Sequence, residues 1–299
     1  MDIVVLMSTY NGEKYVEQQI NSILNQTEKK VKIIIRDDGS KDKTCEILKK
    51  MENKYDNIKV IYGNNVGVPE SFKKMLELEF NDNEKYLFFC DQDDVWLENK
   101  IEKAVSELKK HDDKPAYYYS EVTAVNEKLI PMFKSNYTGV DTVGSSYNTT
   151  PAIGCTVAFN RKLLDIIKNH KLPKNIVMHD LYLYRVCLAI DGVVIHDSDS
   201  YIYYRQHESN VIGITNSNFK KMKVYSKYNK TRRMMAKEII DIYSDKISKS
   251  NYKILSKIAN FNDKMPASKR IDLLFDKNYN SKKIKSNLKF IYDILFNNI

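Results

Sequence analysis

The chain has 299 residues, 42% of them hydrophobic and 29% charged, the profile of a soluble globular protein with room for one large domain or two smaller ones. No run of about 18 apolar residues is present, so no spanning helix is expected, and the short start Met1-Asp2-Ile3-Val4-Val5-Leu6-Met7 predicts a first strand rather than a secretory signal. The net charge of +9 sits in one place: residues 218–299 carry 20 Lys+Arg against 7 Asp+Glu, a net of +13, and residues 1–217 carry 28 against 32, a net of −4. Such a tail suits nucleic acid or an anionic membrane surface, or is a solubilising helical face. Cys45, Cys90, Cys155 and Cys187 form no Cys-x-x-Cys pair, which argues against zinc or a disulfide framework and fits a reducing cytosol.

The first half alternates strand and helix. Ile3 to Met7 is an apolar run, and Val16, Ile20, Ile23 and Leu24 follow at helical spacing. A strand over Val31–Ile35, a helix over about Asp42–Met51, a strand over Ile58–Tyr62 and a helix over Val68–Leu78 come next. A fourth strand is predicted over Lys85–Cys90 and a helix over 97–110. Repeated β-α-β units imply a mostly parallel sheet covered by helices on both faces. Beyond it, Ala116–Val125 reads as a tyrosine-rich strand, 134–154 as a long loop of the kind that often serves as a lid, and Cys155–Phe159 as a strand feeding a helix over Arg161–Lys168. A helix starts near His179-Asp180, and strands over 192–196 and 201–206 flank a turn. From about 218 the pattern is helical, with Ile284, Leu288, Ile291, Tyr292 and Leu295 tracing an amphipathic stripe.

Ligands of such sheets bind at the carboxyl ends of the strands, and here every strand end is polar, small or acidic: Ser8-Thr9-Tyr10-Asn11-Gly12, Asp37-Asp38-Gly39-Ser40, Gly63-Asn64-Asn65-Val66-Gly67 and Asp91-Gln92-Asp93-Asp94. The crowded carboxylates of the last block need a cation between them. Hard oxygen ligands at a strand end suit Mg²⁺ or Mn²⁺ bound with a substrate phosphate; the bland alternative is an Asp-rich turn with Asp94 capping the next helix. Asp38 can accept from a base or ribose, or can form an Asx-turn. Neither Gly-x-Gly-x-x-Gly nor Gly-x-x-x-x-Gly-Lys-Ser/Thr is present, which disfavours hydride transfer and P-loop chemistry.

Taken in order, Ser8-Thr9-Tyr10-Asn11-Gly12-Glu13, Arg36-Asp37-Asp38-Gly39-Ser40-Lys41-Asp42, Asn65-Val66-Gly67 and Asp91-Gln92-Asp93-Asp94-Val95-Trp96 resemble the family 2 glycosyltransferases of GT-A fold over roughly residues 1–215. The fourth block is most like the bacterial rhamnosyltransferase-type branch, which builds surface polysaccharide. The resemblance implies a Rossmann-like α/β catalytic domain over 1–217, with a nucleotide-binding half (about 1–112) and an acceptor half (about 113–217), followed by a basic helical C-terminal extension over 218–299.

It also implies roles. Thr9, Tyr10, Glu13, Asp38, Asn65, Asp91 and Gln92 would bind the nucleotide-sugar, with Asp38 at the base edge and Asp91 at the ribose. Asp93 would ligate Mg²⁺ or Mn²⁺ on the diphosphate. In Tyr203-Tyr204-Arg205-Gln206-His207, Arg205 would clamp the diphosphate and His207 touch metal or phosphate. Asp180, opening a helix after Met178-His179, would be the general base of an inverting transfer, which needs a carboxylate to take the acceptor proton; the alternative is a residue favoured by the helix dipole. Gly154-Cys155-Thr156 would line the acceptor side, and Trp96 is either acceptor wall or core.

The implied donor is dTDP-L-rhamnose, or alternatively a UDP-hexose or UDP-N-acetylhexosamine, and the acceptor a surface-polysaccharide or lipid-linked glycan. A non-catalytic nucleotide-sugar-binding subunit is the reading from another class. The expected setting is cytoplasmic, with peripheral contact at the inner membrane face through the C-terminal helices; packing of those helices on the catalytic domain or in a homodimer is the competing reading, and no nucleic-acid motif is seen.

Overall fold

The computed structural model describes residues 2–137, 141–149, 154–173, 176–207, 218–261, 265–281 and 284–296, with backbone only over 218–230 and at 267. Strands β1 (Ile3–Thr9), β2 (Val31–Asp37), β3 (Ile58–Tyr62) and β4 (Tyr86–Cys90) alternate with helices α1 (Val16–Leu24), α2 (Thr44–Lys54) and α3 (Val68–Leu76). They pair in parallel in the order β3-β2-β1-β4. Their near-continuous apolar runs are what a sheet buried on both faces requires. Along β1, Ile3, Val5 and Met7 face one core with α1 and α2, and Val4 and Leu6 face the other with α3.

The rest of the sheet is mixed rather than parallel. β8 (Ala158–Asn160) runs antiparallel to β4 and to β6 (Ala116–Val125), while β9 (Val193–Arg205) is parallel to β6 and carries β5 (Val95–Trp96) antiparallel on its far edge. β7 (Pro131–Lys134) hairpins onto β6. Helices α4 (Lys100–Leu108), α5 (Arg161–Asn169) and α6 (His179–Ala189) cover the faces. Asn160 opens α5 with its side chain accepting from the Leu163 amide at 3.1 Å.

Two expectations need correcting. The strands expected over 192–196 and 201–206 are one strand, β9, bulged where Ser120 pairs Asp197 and Glu121 pairs Ser200. The bulge lets one strand follow β6 and then bend onto β5. The strand expected to begin at Cys155 begins at Ala158, because Gly154–Thr156 form a short 3₁₀ turn. Parts of the expected 134–154 loop lie outside the described residues.

Helices α7 (Asn218–Tyr243), α8 (Lys249–Ala259), α9 (Ala267–Leu274) and α10 (Ile284–Leu295) complete the chain. Met235, Ile239, Tyr243, Leu255, Ile258, Phe290 and Ile294 join the same core as Val4, Phe89 and Leu183. The basic tail is therefore packed on the α/β unit by apolar contact. No helix among the described residues is long and apolar enough to cross a membrane.

Candidate active site at the strand ends

Register sets the site. Thr9 pairs Asp37, Asp37 pairs Tyr62, and Met7 pairs Cys90, so the polar blocks leave the sheet along one edge. The first two blocks are sewn together. Thr9 Oγ1 donates to Asp37 at 3.0 Å, and Asp37 also accepts from the amides of Gly39 (3.1 Å) and Ser40 (2.9 Å). Gly39 has φ 82°, a left-handed conformation that this tight turn reserves for glycine. Asn11 accepts from the Lys41 amide at 2.8 Å, and Glu13 accepts from the Lys43 amide at 2.9 Å at the start of α2.

Asp38 is buried and fully engaged. It pairs with Arg36 and accepts from the amides of Val66 (2.9 Å) and Gly67 (2.8 Å). Its carboxylate thus holds the third loop, whereas the local turn onto Gly39 and Ser40 is made by Asp37. Asn65 and Tyr10 stand exposed on these loops.

The acidic block divides residue by residue. Gln92 grips the Tyr10 backbone twice, accepting from its amide at 2.8 Å and donating to its carbonyl at 3.0 Å. A Cβ on Gly12 would collide with that Gln92 side chain, so the Gly12–Gln92 contact keeps the first and fourth loops together. Asp93 Oδ2 lies 2.8 Å from His207 Nε2. Asp94 is wholly buried and accepts from the Arg205 amide at 3.0 Å, rather than capping a helix.

Arg205 is also buried, and its guanidinium donates to Asp93 O (2.8 Å), Glu127 O (2.7 Å) and Gln18 Oε1 (2.6 Å) while lying over the Tyr15 ring. Arg205, expected to clamp the diphosphate, braces the acidic loop through these contacts. Tyr15 and Gln18 went unnoticed in the sequence. Their three-residue spacing at the start of α1 was the available signal.

These groups carry perturbed acidities. Burial, then the Asp93 and Asp180 charges, pushes Asp91 up to about 7. Burial and the Asp93 and Asp91 charges push Asp94 well above the carboxylate range. Burial drops Lys100, which lies behind the block over the Trp96 ring, to about 8. Trp96 itself is buried against Phe88 and belongs to the core.

Two sets of side chains can be weighed as a cation site. Asp91, Asp94 and Cys155 bring ligand atoms within 4.8 Å of one another. But burial, with the Asp94 and Asp91 charges, holds the Cys155 thiol's pKa well above its ordinary value, and a protonated thiol is a poor partner for a hard ion. Asp93 and His207 offer oxygen and nitrogen atoms already 2.8 Å apart, both with some exposure. With Asp91 beside them, these donors fit Mg²⁺ or Mn²⁺.

Asp180 opens α6 and is 2% exposed. Burial raises its carboxyl to about 6, against the pull of its own and the Leu181 amides. Its Oδ1 accepts no hydrogen bond among the described residues. Its charge is felt at Asp91, so the α6 acid lies within electrostatic reach of the strand-end acids. Gly154 lies against it, since a Cβ there would stand 3.4 Å from Asp180 Oδ2 and from His179 Nε2. His179 stacks on Phe72 at 3.9 Å, and burial lowers it to about 3, so its ring is neutral.

Comparison with known proteins agrees with this architecture. The relative RfbG of Shigella flexneri, a dTDP-rhamnosyl transferase, is 28% identical over 231 residues, 72% of this chain and 75% of that protein. The structure of S. aureus TarS 1-349 in complex with UDP-GlcNAc superposes with a TM-score of 0.61 at 20% identity, over 87% of this chain and 72% of that one. The mannosyltransferase PcManGT of Pyrobaculum calidifontis, in complex with GDP-Man and Mn²⁺, superposes with a TM-score of 0.55 at 13% identity, over 96% and 73%. Residues 4–167, more than half of the chain, match Glycosyl transferase family 2, and the protein is a glycosyltransferase of that family, built on a GT-A-type fold.

Proposed function

We propose that the protein is an inverting, metal-dependent glycosyltransferase that moves a sugar from a nucleotide-sugar to a surface-polysaccharide or lipid-linked glycan acceptor. The observation that carries this is Asp180: a buried carboxylate with an uncommitted oxygen and a pKa of about 6, within electrostatic reach of the strand-end acids. A base poised near neutrality is suited to take a hydroxyl proton. The acceptor oxygen attacks the anomeric carbon, its proton passes to Asp180, and the bond to the diphosphate oxygen breaks on the opposite face, the single-displacement logic of inversion. A divalent cation held by Asp93 and His207 would neutralise the departing diphosphate.

The chain's own residues prepare that event. Thr9, Glu13, Asp38 and Gln92 fix the loops that would receive the nucleotide, and Tyr10 and Asn65 present exposed side chains to it. Asp91 would meet the ribose. Arg205 holds the acidic loop in place. The catalytic unit would span 1–217 and the helical extension 218–299. RfbG's description as a dTDP-rhamnosyl transferase favours dTDP-L-rhamnose as donor, and the UDP-GlcNAc bound by TarS keeps UDP-sugars as the alternative. A lipid-linked acceptor would place the protein at the cytoplasmic membrane face.

The test is to incubate the protein with dTDP-, UDP- and GDP-sugars, Mn²⁺ or Mg²⁺, and candidate acceptors, with and without EDTA. Nucleoside diphosphate release that ignores both EDTA and Asp93→Ala would remove the metal role. Full transfer by Asp180→Asn would remove the base.

A further inference from the structure

Helix α10 is apolar on two sides but covered on one. Phe290 and Ile294 are buried in the core, and Asp293 is turned inward onto Arg232 (2.9 Å) and Lys289 (2.7 Å). The opposite side exposes Ile284 (76%), Leu288 (60%), Tyr292, Leu295 and the following Phe296. At 100° per residue these five fall within one third of the helix circumference. α9 packs against α10, and Phe275, just past its end, is 80% exposed. An exposed apolar stripe on a helix whose opposite side is already in the core leaves surface for a neighbour to cover.

Charge says which neighbour. Residues 267–296 carry seven Lys+Arg against three Asp. Two of those acids are consumed inside the protein, Asp293 as above and Asp276 on Lys257. Lys269, Lys277 and Lys285 are exposed, with Lys285 on α10 itself. A second copy across a twofold axis would set this patch against itself and oppose like charges. An apolar stripe edged with lysines matches the boundary between acyl chains and anionic headgroups.

We propose that the outer face of α9 and α10 docks on an anionic phospholipid surface. The docked face is tied to the acceptor half. Asn148 Nδ2 lies 2.7 Å from Asn287 Oδ1 of α10 and 2.9 Å from the Tyr279 carbonyl, and Gly144 abuts the Asn278 backbone so closely that a Cβ would collide with it. Docking would therefore bring the segment that leads toward Gly154 and Asp180 to the lipid surface. This last step rests on the proposed function, whereas the docking itself does not.

The full chain is sedimented with phosphatidylcholine vesicles and with mixed phosphatidylcholine–phosphatidylglycerol vesicles, without donor or acceptor. Strong binding to the mixed vesicles alone is expected. Leu288→Glu should weaken it roughly tenfold or more, and Lys285→Glu roughly fivefold or more. Both side chains point outward, and unchanged melting curves will show that the variants fold. Failure to bind mixed vesicles, or binding indifferent to both substitutions, overturns the proposal. So does a wild-type dimer, by sedimentation velocity, that Leu288→Glu disperses. Nucleoside diphosphate release measured on the same samples with a soluble acceptor reports separately on the proposed function.

Discussion

Replacing Asp180 by asparagine should stabilise the protein while abolishing transfer. The side chain keeps its shape, and Oδ1 has no hydrogen bond among the described residues to lose. Moving this carboxyl from the ordinary 3.8 up to about 6 means that its charged form costs the native state about 3 kcal/mol, at 1.36 kcal/mol per pH unit. Because the folded pKa lies above the unfolded one, stability is fully present below the unfolded value and is lost as pH rises through the folded value. The variant escapes that loss. Urea unfolding should show it more stable than wild type by up to about 3 kcal/mol near pH 7.5, and by about half as much near pH 5. Transfer by the wild type should in turn rise with pH to a plateau above about 6, as the base loses its proton. A variant destabilised equally at both pH values, or one that retains the wild-type pH profile, would refute the assignment of a buried, uncommitted base.

Other expectations follow from the same geometry. Arg205→Lys removes a guanidinium that serves three oxygens; leaving two of them unpaired should cost about 2–4 kcal/mol in urea unfolding, with activity falling because the acidic loop loosens. Asp93→Ala should lower transfer by about two orders of magnitude or more and abolish the response to added Mn²⁺, as expected for a lost electrostatic contribution of several kcal/mol. Because burial and neighbouring charges hold Asp91 at about 7, binding of the cation with donor near neutral pH should release protons, read by calorimetry in buffers of different ionisation enthalpy. Gly144→Ala forces a Cβ into the Asn278 backbone; it should lower stability by about 1–3 kcal/mol, whereas Gly67→Ala, where a Cβ meets nothing, should cost only the strain of its positive-φ backbone (φ 86°, ψ 156°), about 1–3 kcal/mol.

The four strand-end blocks were legible because each is a local signal: an apolar run of strand length followed by turn residues. The parallel β3-β2-β1-β4 order puts those ends on one edge, so reading them as one site needed only the rule that connects them. The helix opened by His179-Asp180 was legible for the same reason, as was the amphipathic stripe on α10. The bend of β9 was not, because Asp197–Ser200 looks like a turn in isolation and becomes a bulge only when β6 and β5 both pair with the strand.

What the sequence determined by itself is the inventory: the acids at the strand ends, the alternating strands and helices of the first half, and the place where the basic charge accumulates. Which polar groups are spent on the fold and which remain for chemistry was decided by tertiary structure alone. Asp38 and Asp180 carry the same charge, yet Asp38 is engaged by Arg36 and the Val66 and Gly67 amides, while Asp180 Oδ1 accepts no hydrogen bond among the described residues; Arg205 is held by Gln18, 187 residues away. The physical reason is that a buried charge must be satisfied by whatever the fold brings within hydrogen-bond reach. Sequence spacing does not contain that distance.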